Sequence, residues 1–245
     1  PVVNQFFMRV EFEEGELRLP DLAQLRVDFE PVAQQFAMQA DFFDLATPSR
    51  LLLAVSNHGH CLNDVLHRWE SDVLPATIVG VISNHETFRE LTEWYGLPFH
   101  YLPMTPEGKA EQERHLLEIM HAEQVDVLAL ARYMQILSAE FCAQVQNRAI
   151  NIHHSFLPGF KGADPYRQAY NRGVKIIGAT AHYVTAELDE GPIIEQTVEK
   201  IDHNCDIDEL RQIGRDAECV AFARALKWHC EHRIIVNGNK TIVFR

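Results

Sequence analysis

The chain has 245 residues and a formal net charge of −13, from 22 Lys and Arg against 35 Asp and Glu. This acidic balance argues against a nucleic-acid binder, because neutralising phosphates requires a basic surface. Hydrophobic residues make up 47% of the sequence, which is enough for a sizeable core. The longest apolar runs, 51–55 and 76–82, are far shorter than the ~20 residues that cross a bilayer. The composition therefore predicts neither a membrane span nor a membrane partner.

The cysteines indicate the redox compartment. There are five of them, an odd number with no close pairing. Because disulfides persist mainly in oxidising compartments, this pattern favours reduced thiols and a cytoplasmic protein.

The first region predicts a small α+β module. Apolar residues alternate with mostly polar ones at 6, 8, 10 and 12, which indicates a half-buried strand. Helical spacing then begins near Asp28, a better candidate start than Asp21 because Pro31 is tolerated best in a first turn. One strand and one short helix cannot bury their apolar faces alone, so residues 1–46 are expected to be the back part of a domain whose opening is missing.

From residue 47 onward, strand and helix patterns alternate. The predicted strands are 51–57, 77–84, 99–102, 125–133, 149–156, 175–184 and 192–201. The predicted helices are 60–70, 87–95, 107–123, 138–146, 163–172 and 206–231, followed by a hairpin at 233–244 around Asn237-Gly238. This order predicts an α/β, Rossmann-like domain over 47–245, with a mostly parallel sheet and helices on both faces. Such sheets bind ligands beyond the carboxyl ends of their strands.

The densest polar cluster inside an apolar strand lies at 151–159. Asn151 and His153 share a face of that strand, while His154 is expected to point away from them. An amide donor beside a titratable imidazole suits a site that stabilises an oxyanion and moves a proton. The alternative is a pair of hydrogen-bonded core residues with an ordinary loop histidine.

Two further loops carry candidate residues. Asp189 lies in an acidic loop that precedes a strand, where a shielded carboxylate could orient water or share a proton with His153, although acidic loops are usually just solvated. His60 and Cys61 follow the first strand of the alternating region, at a possible water or loop site. No second Cys/His pair has ligand spacing, so no metal is predicted there.

At these residues the chain resembles the folate-dependent formyltransferase family over residues 50–245. Asn151-x-His153 and the later Asp189-x-Gly191 match the family's catalytic triad in type and order, and Met134-Gln135-Ile136-Leu137 resembles its pteridine-binding segment. The resemblance implies that Asn151, His153 and Asp189 are catalytic and that the reaction needs no cofactor or metal. It also implies a set of substrate-binding residues: Met134, Gln135, Ile136, Leu137, His154, Gly162, Val184, Thr185, Ala186 and Glu187.

Within that family the chain resembles the formyltetrahydrofolate deformylases. His154 stands where the glycinamide ribonucleotide transformylase pattern usually has proline, and Gly59-His60-Cys61-Leu62 replaces the loop that holds a phosphorylated acceptor. The first region is similar to the second half of an ACT domain. The resemblance implies hydrolysis of 10-formyltetrahydrofolate to formate and tetrahydrofolate, which supplies formate for purine biosynthesis and balances one-carbon folate pools. It also implies a homo-oligomer, with an amino-acid effector at an intact ACT domain.

Three alternatives remain open at this stage. The chain could transfer the formyl group to an amine such as glycinamide ribonucleotide, act on methionyl-tRNA, or be a non-catalytic folate or amino-acid sensor. Without the resemblance, Met134, Ile136 and Leu137 would be interpreted as ordinary core. Lys161, Arg167 and Arg132 are candidates for binding the anionic glutamate tail of a folate.

Overall fold

The computed structural model describes residues 5–12, 21–103, 108–159 and 165–245. The chain divides into two compact units, residues 1–48 and 49–245, close to the predicted boundary between residues 46 and 47. Within the described residues, no helix combines the length and the apolar character that a bilayer crossing requires.

In the first unit, the predicted strand at 6–12 is wrong. Residues 5–12 have no regular secondary structure, and the apolar side chains at 6, 8, 10 and 12 are between 55% and 87% exposed. A strand needs a neighbouring strand to accept its backbone hydrogen bonds, and no described segment of residues 1–48 forms one. The assignment of this unit to a partial ACT domain stays a prediction.

Helix α1 spans Leu22–Gln35, so the predicted start near Asp28 is also wrong. The carboxylate of Asp21 accepts a hydrogen bond from the backbone N–H of Gln24 at 2.8 Å and caps the helix. Pro31 therefore lies inside the helix rather than in its first turn. The Asp21 cap therefore sets where α1 begins. Pro31 removes one backbone hydrogen bond inside the helix but does not end it.

The second unit is built on one sheet. Among the described residues its seven strands are β1 Ser49–Val55, β2 Ala76–Ser83, β3 Phe99–Tyr101, β4 Val127–Leu130, β5 Ala149–His153, β6 Ile176–Tyr183 and β7 Ile193–Lys200. They lie in the order β3-β2-β1-β4-β5-β6-β7. The pairs from β3 to β5 are parallel, whereas β6 and β7 are antiparallel to their neighbours. The predicted mostly parallel sheet is confirmed.

Helices cover both faces of this sheet. They are α2 His60–Glu70, α3 Arg89–Trp94, α4 Lys109–Ala122, α5 Ala139–Gln144, α6 Pro165–Arg172 and α7 Ile207–Cys230. Strand β1 shows why two layers are needed, because its residues 51–55 are completely buried. Leu51 and Leu53 share a core cluster with Phe222 of α7, while Leu52 shares the opposite cluster with Phe141 of α5. The predicted α/β fold class is confirmed.

A hairpin follows α7, as the sequence predicts. Strands β8 Ile234–Asn237 and β9 Lys240–Val243 pair antiparallel, and Gly238 takes a left-handed φ of 62° in the turn. The predicted helix starts at residues 107 and 163 lie outside the described residues.

Candidate active site

The candidate site lies at the carboxyl end of β5. Asn151 and His153 lie two residues apart on this strand, so their side chains share a face. The antiparallel register sets Asn151 opposite His182 and His153 opposite Thr180 on β6. His153 and His182 are both buried. The sheet thus brings two imidazoles and an amide together away from bulk water.

Asp189 completes this group from the loop after β6. Its Oδ2 lies 3.2 Å from Nδ1 of His153, and its Oδ1 lies 3.7 Å from Nε2 of His182. Asp189 takes a left-handed φ of 58°, and a Cβ atom at Gly191 would overlap the carbonyl oxygen of Tyr183. Glycine at 191 is therefore what allows the loop to close tightly against the end of β6 and deliver the carboxylate.

His182 is a site residue that the sequence analysis did not identify. Its Nδ1 lies 2.9 Å from the carbonyl oxygen of Tyr183, and Nδ2 of Asn151 lies 3.3 Å from its Nε2. In the tautomer whose Nδ1–H donates to that carbonyl, Nε2 accepts from the Asn151 amide and fixes its orientation. The available signal was a histidine inside an apolar strand, but its partner depends on the antiparallel register.

The electrostatics separate the roles of the carboxylate and the imidazole. Burial raises the pKa of Asp189, but the hydrogen bond from His153 and the proximity of His182 outweigh burial and hold that pKa well below its usual range. The carboxylate is thus ionised at neutral pH. Nε2 of His153 is buried and has no hydrogen-bond partner in the part of the chain that the structure describes. A buried polar atom of this kind is where a water or substrate atom is expected to bind.

His154 does not point away from His153 as expected. Strand β5 ends at His153, so the strict alternation of side chains stops there, and the two ring centroids are 5.1 Å apart. The ring of Tyr166 follows at 6.1 Å from that of His154. Burial, and then the positive charge of Arg132, lower the pKa of His154 to about 3. Its imidazole is therefore uncharged at neutral pH.

Behind His154 lies a buried group that we call the Glu218 cluster: Glu218, His60, Tyr166 and Arg132. The Glu218 carboxylate, on α7, accepts from the Tyr166 hydroxyl at 2.6 Å and lies 2.7 Å from Nε2 of His60. Nε of Arg132 is 3.4 Å away from it. Burial raises the pKa of Glu218, but the His60 hydrogen bond and the charge of Arg132 lower it below its usual value. His60 thus belongs to this cluster rather than to a solvated loop.

Among the described residues, the donors that could hold a metal are His60, Cys61 and Glu218, whose ligand atoms lie within 4.8 Å of one another. Both oxygens of Glu218 already have hydrogen-bonding partners, and Arg132 places a positive charge beside them. Burial raises the pKa of the Cys61 thiol well above its usual value, whereas a metal ligand must be a thiolate. These groups fit a hydrogen-bonded cluster better than a cation site.

Apart from His154 and Gly162, the predicted substrate-binding residues occupy two segments, one after β4, the strand next to β5, and one after β6. Met134 and Ile136, between β4 and α5, are 55% and 63% exposed, so they are not ordinary core, whereas Leu137 is half-buried and packs against a core cluster. The second segment, 184–187, continues directly from β6 towards Asp189. Gly162 and Lys161 lie outside the described residues. Arg132 is buried beside Glu218, which is a poor position from which to bind a solvent-facing folate tail.

Comparisons with known proteins give the family. Residues 49–226 match the formyl transferase family, and the chain belongs to it. The formyltetrahydrofolate deformylase of Bacillus subtilis is 48% identical over 244 residues, covering 100% of this chain and 81% of that protein. The crystal structure of the Burkholderia mallei formyltetrahydrofolate deformylase superposes with a TM-score of 0.87 and 51% identity, covering 91% of this chain and 80% of that one. The resemblance to the deformylases is thus confirmed.

A transferase is a more distant neighbour. Glycinamide ribonucleotide transformylase 1 of Symbiobacterium toebii superposes with a TM-score of 0.76 but shares 28% identity, covering 84% of this chain and 99% of that one. The comparisons therefore favour the deformylases over the transformylases as the relevant relatives.

Proposed function

We propose that this chain hydrolyses 10-formyltetrahydrofolate to formate and tetrahydrofolate, supplying formate for purine biosynthesis and balancing one-carbon folate pools. The observation that carries the proposal is the buried Nε2 of His153, which has no hydrogen-bond partner among the described residues. Asp189 contacts Nδ1 of the same ring, and Asn151 lies beside His153 on β5. That arrangement can activate a water and stabilise an oxyanion, as hydrolysis of a formamide requires. The deformylase relatives, at 48% and 51% identity, support the same substrate.

The roles follow from the geometry. The ionised carboxylate of Asp189 accepts a hydrogen bond from Nδ1–H of His153. Nε2 of His153 therefore carries no proton and can take one from water. That water attacks the formyl carbon, while the Asn151 amide donates to the oxygen that becomes negative. The imidazolium then returns its proton to the departing amine nitrogen, which restores the starting state. We assign the base to His153 because the low pKa of Asp189 makes its carboxylate a weak proton acceptor.

The substrate is expected to lie against the segment Met134–Leu137. Met134 and Ile136 offer apolar surface to a pteridine ring. The backbone groups of 184–187 can offer hydrogen bonds, and they lie in the loop after β6 that also carries Asp189. We further propose that neither a metal nor a cofactor takes part, since the donors around Glu218 already bond one another.

Assembly and location are separate proposals. The exposed apolar side chains of residues 5–12 and of α1 support a homo-oligomer that pairs through the first unit, where an amino-acid effector is also expected. The described cysteines are all free thiols, which supports a reducing compartment such as the cytoplasm.

The test is product analysis of the purified protein with 10-formyltetrahydrofolate, with and without glycinamide ribonucleotide. We expect formate release that does not depend on the acceptor and that Asp189→Asn reduces by a factor on the order of a hundred or more. Asparagine tolerates the left-handed φ of residue 189, so the backbone should be preserved. Asp72→Asn is the matched control, because Asp72 has a φ of 57° at an exposed position.

The competing activity is formyl transfer to an amine acceptor. A transferase would form formylglycinamide ribonucleotide when the acceptor is present and would release no formate when the acceptor is absent. Folate binding without any turnover would instead favour a sensor.

A further inference from the structure

The segment Met134–Leu137 has no regular secondary structure, yet it is expected to present a binding surface through Met134 and Ile136, while Leu137 packs against the core. It connects β4 to α5, and its large apolar side chains at 134 and 136 face outward. An irregular segment keeps one conformation only if its ends are held by groups outside it, and an unfixed loop loses entropy when a ligand orders it. The contacts at its two ends therefore decide how well it binds.

The first end is fixed to β1 by Ser56. The backbone N–H of Met134 donates to Oγ of Ser56 at 3.0 Å, and the Ser56 hydroxyl donates to Oδ1 of Asn84 at 2.7 Å. The backbone N–H of Ser56 in turn donates to the carbonyl of Arg132 at 3.2 Å. Ser56 is almost completely buried, so these bonds do not compete with bulk water.

The second end is fixed to α4 by Glu113. Its Oε1 accepts from the backbone N–H of Ser138 at 2.7 Å, and its Oε2 accepts from the Ser138 hydroxyl at 2.5 Å. Oγ of Ser138 also accepts from the backbone N–H of Phe141 at 3.1 Å and so caps α5. The cap itself needs only Ser138. Glu113 adds a connection across 25 residues of sequence.

Burying the Glu113 carboxylate costs free energy. Glu113 is only 7% exposed, and burying a charged carboxylate is unfavourable unless hydrogen bonds compensate it. Both of its oxygens bond a single residue, the one that immediately follows the segment Met134–Leu137. An apolar residue would fill the same space without that penalty, so the geometry indicates that fixing Ser138 is what Glu113 contributes.

We propose that Glu113 is a positioning residue for the folate substrate. By fixing Ser138, it holds Met134–Leu137 in the conformation that binds the pteridine ring, with Ser56 doing the same at the other end. This inference depends on the proposed deformylase function, because the ligand of the segment is the folate. Glu113 touches neither Asn151, His153 nor Asp189 in the described contacts, so it acts on binding and not on the chemical step.

The experiment compares the kinetics of formate release in three variants of the full chain. Glu113→Ala removes both hydrogen bonds, and we expect KM for 10-formyltetrahydrofolate to rise by about tenfold while kcat changes by less than about twofold. Glu113→Gln can still accept from the Ser138 N–H and can donate to its hydroxyl, so KM should stay within about threefold of the wild type. Glu111→Ala, at an exposed position of the same helix, should leave both constants unchanged.

The outcomes distinguish this inference from the function on which it depends. An unchanged KM in an active Glu113→Ala protein, or equal losses in kcat and in stability without a change in KM, would overturn the positioning role alone. A wild-type protein that releases no formate would overturn the proposed function as well. If Glu113→Ala gives no cooperative melting transition, Glu113→Met replaces it: it fills the same space without either hydrogen bond to Ser138, and its KM should rise by a similar factor.

Discussion

The imidazole of His154 is held uncharged by its surroundings. Burial and the positive charge of Arg132 lower its pKa from 6.5 to about 3 in the folded chain. Between those two values the unfolded chain binds a proton at this residue and the folded chain does not. Above about pH 6.5 neither state binds this proton, so His154 does not reduce the unfolding free energy. As the pH falls from 6.5 towards 3, protonation of the unfolded chain lowers the unfolding free energy progressively.

This linkage predicts a smaller acid sensitivity for His154→Gln. Between about pH 7 and pH 5, the wild type should lose about 2 kcal/mol more of its unfolding free energy than the variant does. Urea unfolding at the two pH values measures the difference. His203→Gln, at an exposed position, should behave as the wild type. Equal losses in His154→Gln and wild type would show that His154 is not held neutral.

At the scale of the helices, the glycine at 214 on α7 allows α6 to pack closely against α7. A Cβ atom at Gly214 would overlap the ring of Tyr166, whose hydroxyl donates to Glu218 at 2.6 Å. The absence of a side chain on α7 thus makes room for the aromatic ring that completes the Glu218 cluster.

We therefore expect Gly214→Ala to destabilise the protein by about 1–3 kcal/mol. The sign is informative, because alanine in a helix interior otherwise stabilises by up to about 1 kcal/mol relative to glycine. Chemical denaturation measures the change, with Asp216→Ala on the exposed side of the same helix as control. In a Tyr166→Leu background the overlapping ring is absent, so Gly214→Ala should cost much less there than in the wild type, and equal costs in the two backgrounds would contradict the steric explanation.

At the scale of the whole molecule, the second unit carries the core and the candidate site. The three clusters of buried apolar residues draw all their members from 49–245, and so do Asn151, His153 and Asp189. A unit with its own core is expected to fold by itself.

Deleting residues 1–48 should accordingly leave a folded protein that releases formate with a kcat within about twofold of the full chain. Thermal melting followed by circular dichroism, together with formate analysis, measures both properties. An unfolded or inactive fragment would show that the first unit contributes to the core or to the site.

The sequence by itself determined the α/β order of the second unit, because apolar periodicity is a local property that strands and helices express directly. The motifs around Asn151, His153 and Asp189 likewise indicated the family, which the relatives confirm, while the individual roles of these residues stay predictions. Local pattern failed in the first unit, where the alternation at 6–12 has no neighbouring strand among the described residues and the Asp21 cap decided where α1 begins.

Only the tertiary structure decided which polar groups meet. His182 bonds Asn151 across 31 residues, and Glu218 bonds His60 across 158, so neither pairing appears as a sequence pattern. The first depends on the antiparallel register of β5 and β6, and the second on how α2 packs against α7. Register and helix packing are set by the fit of buried side chains over the whole domain, which periodicity along the chain does not encode.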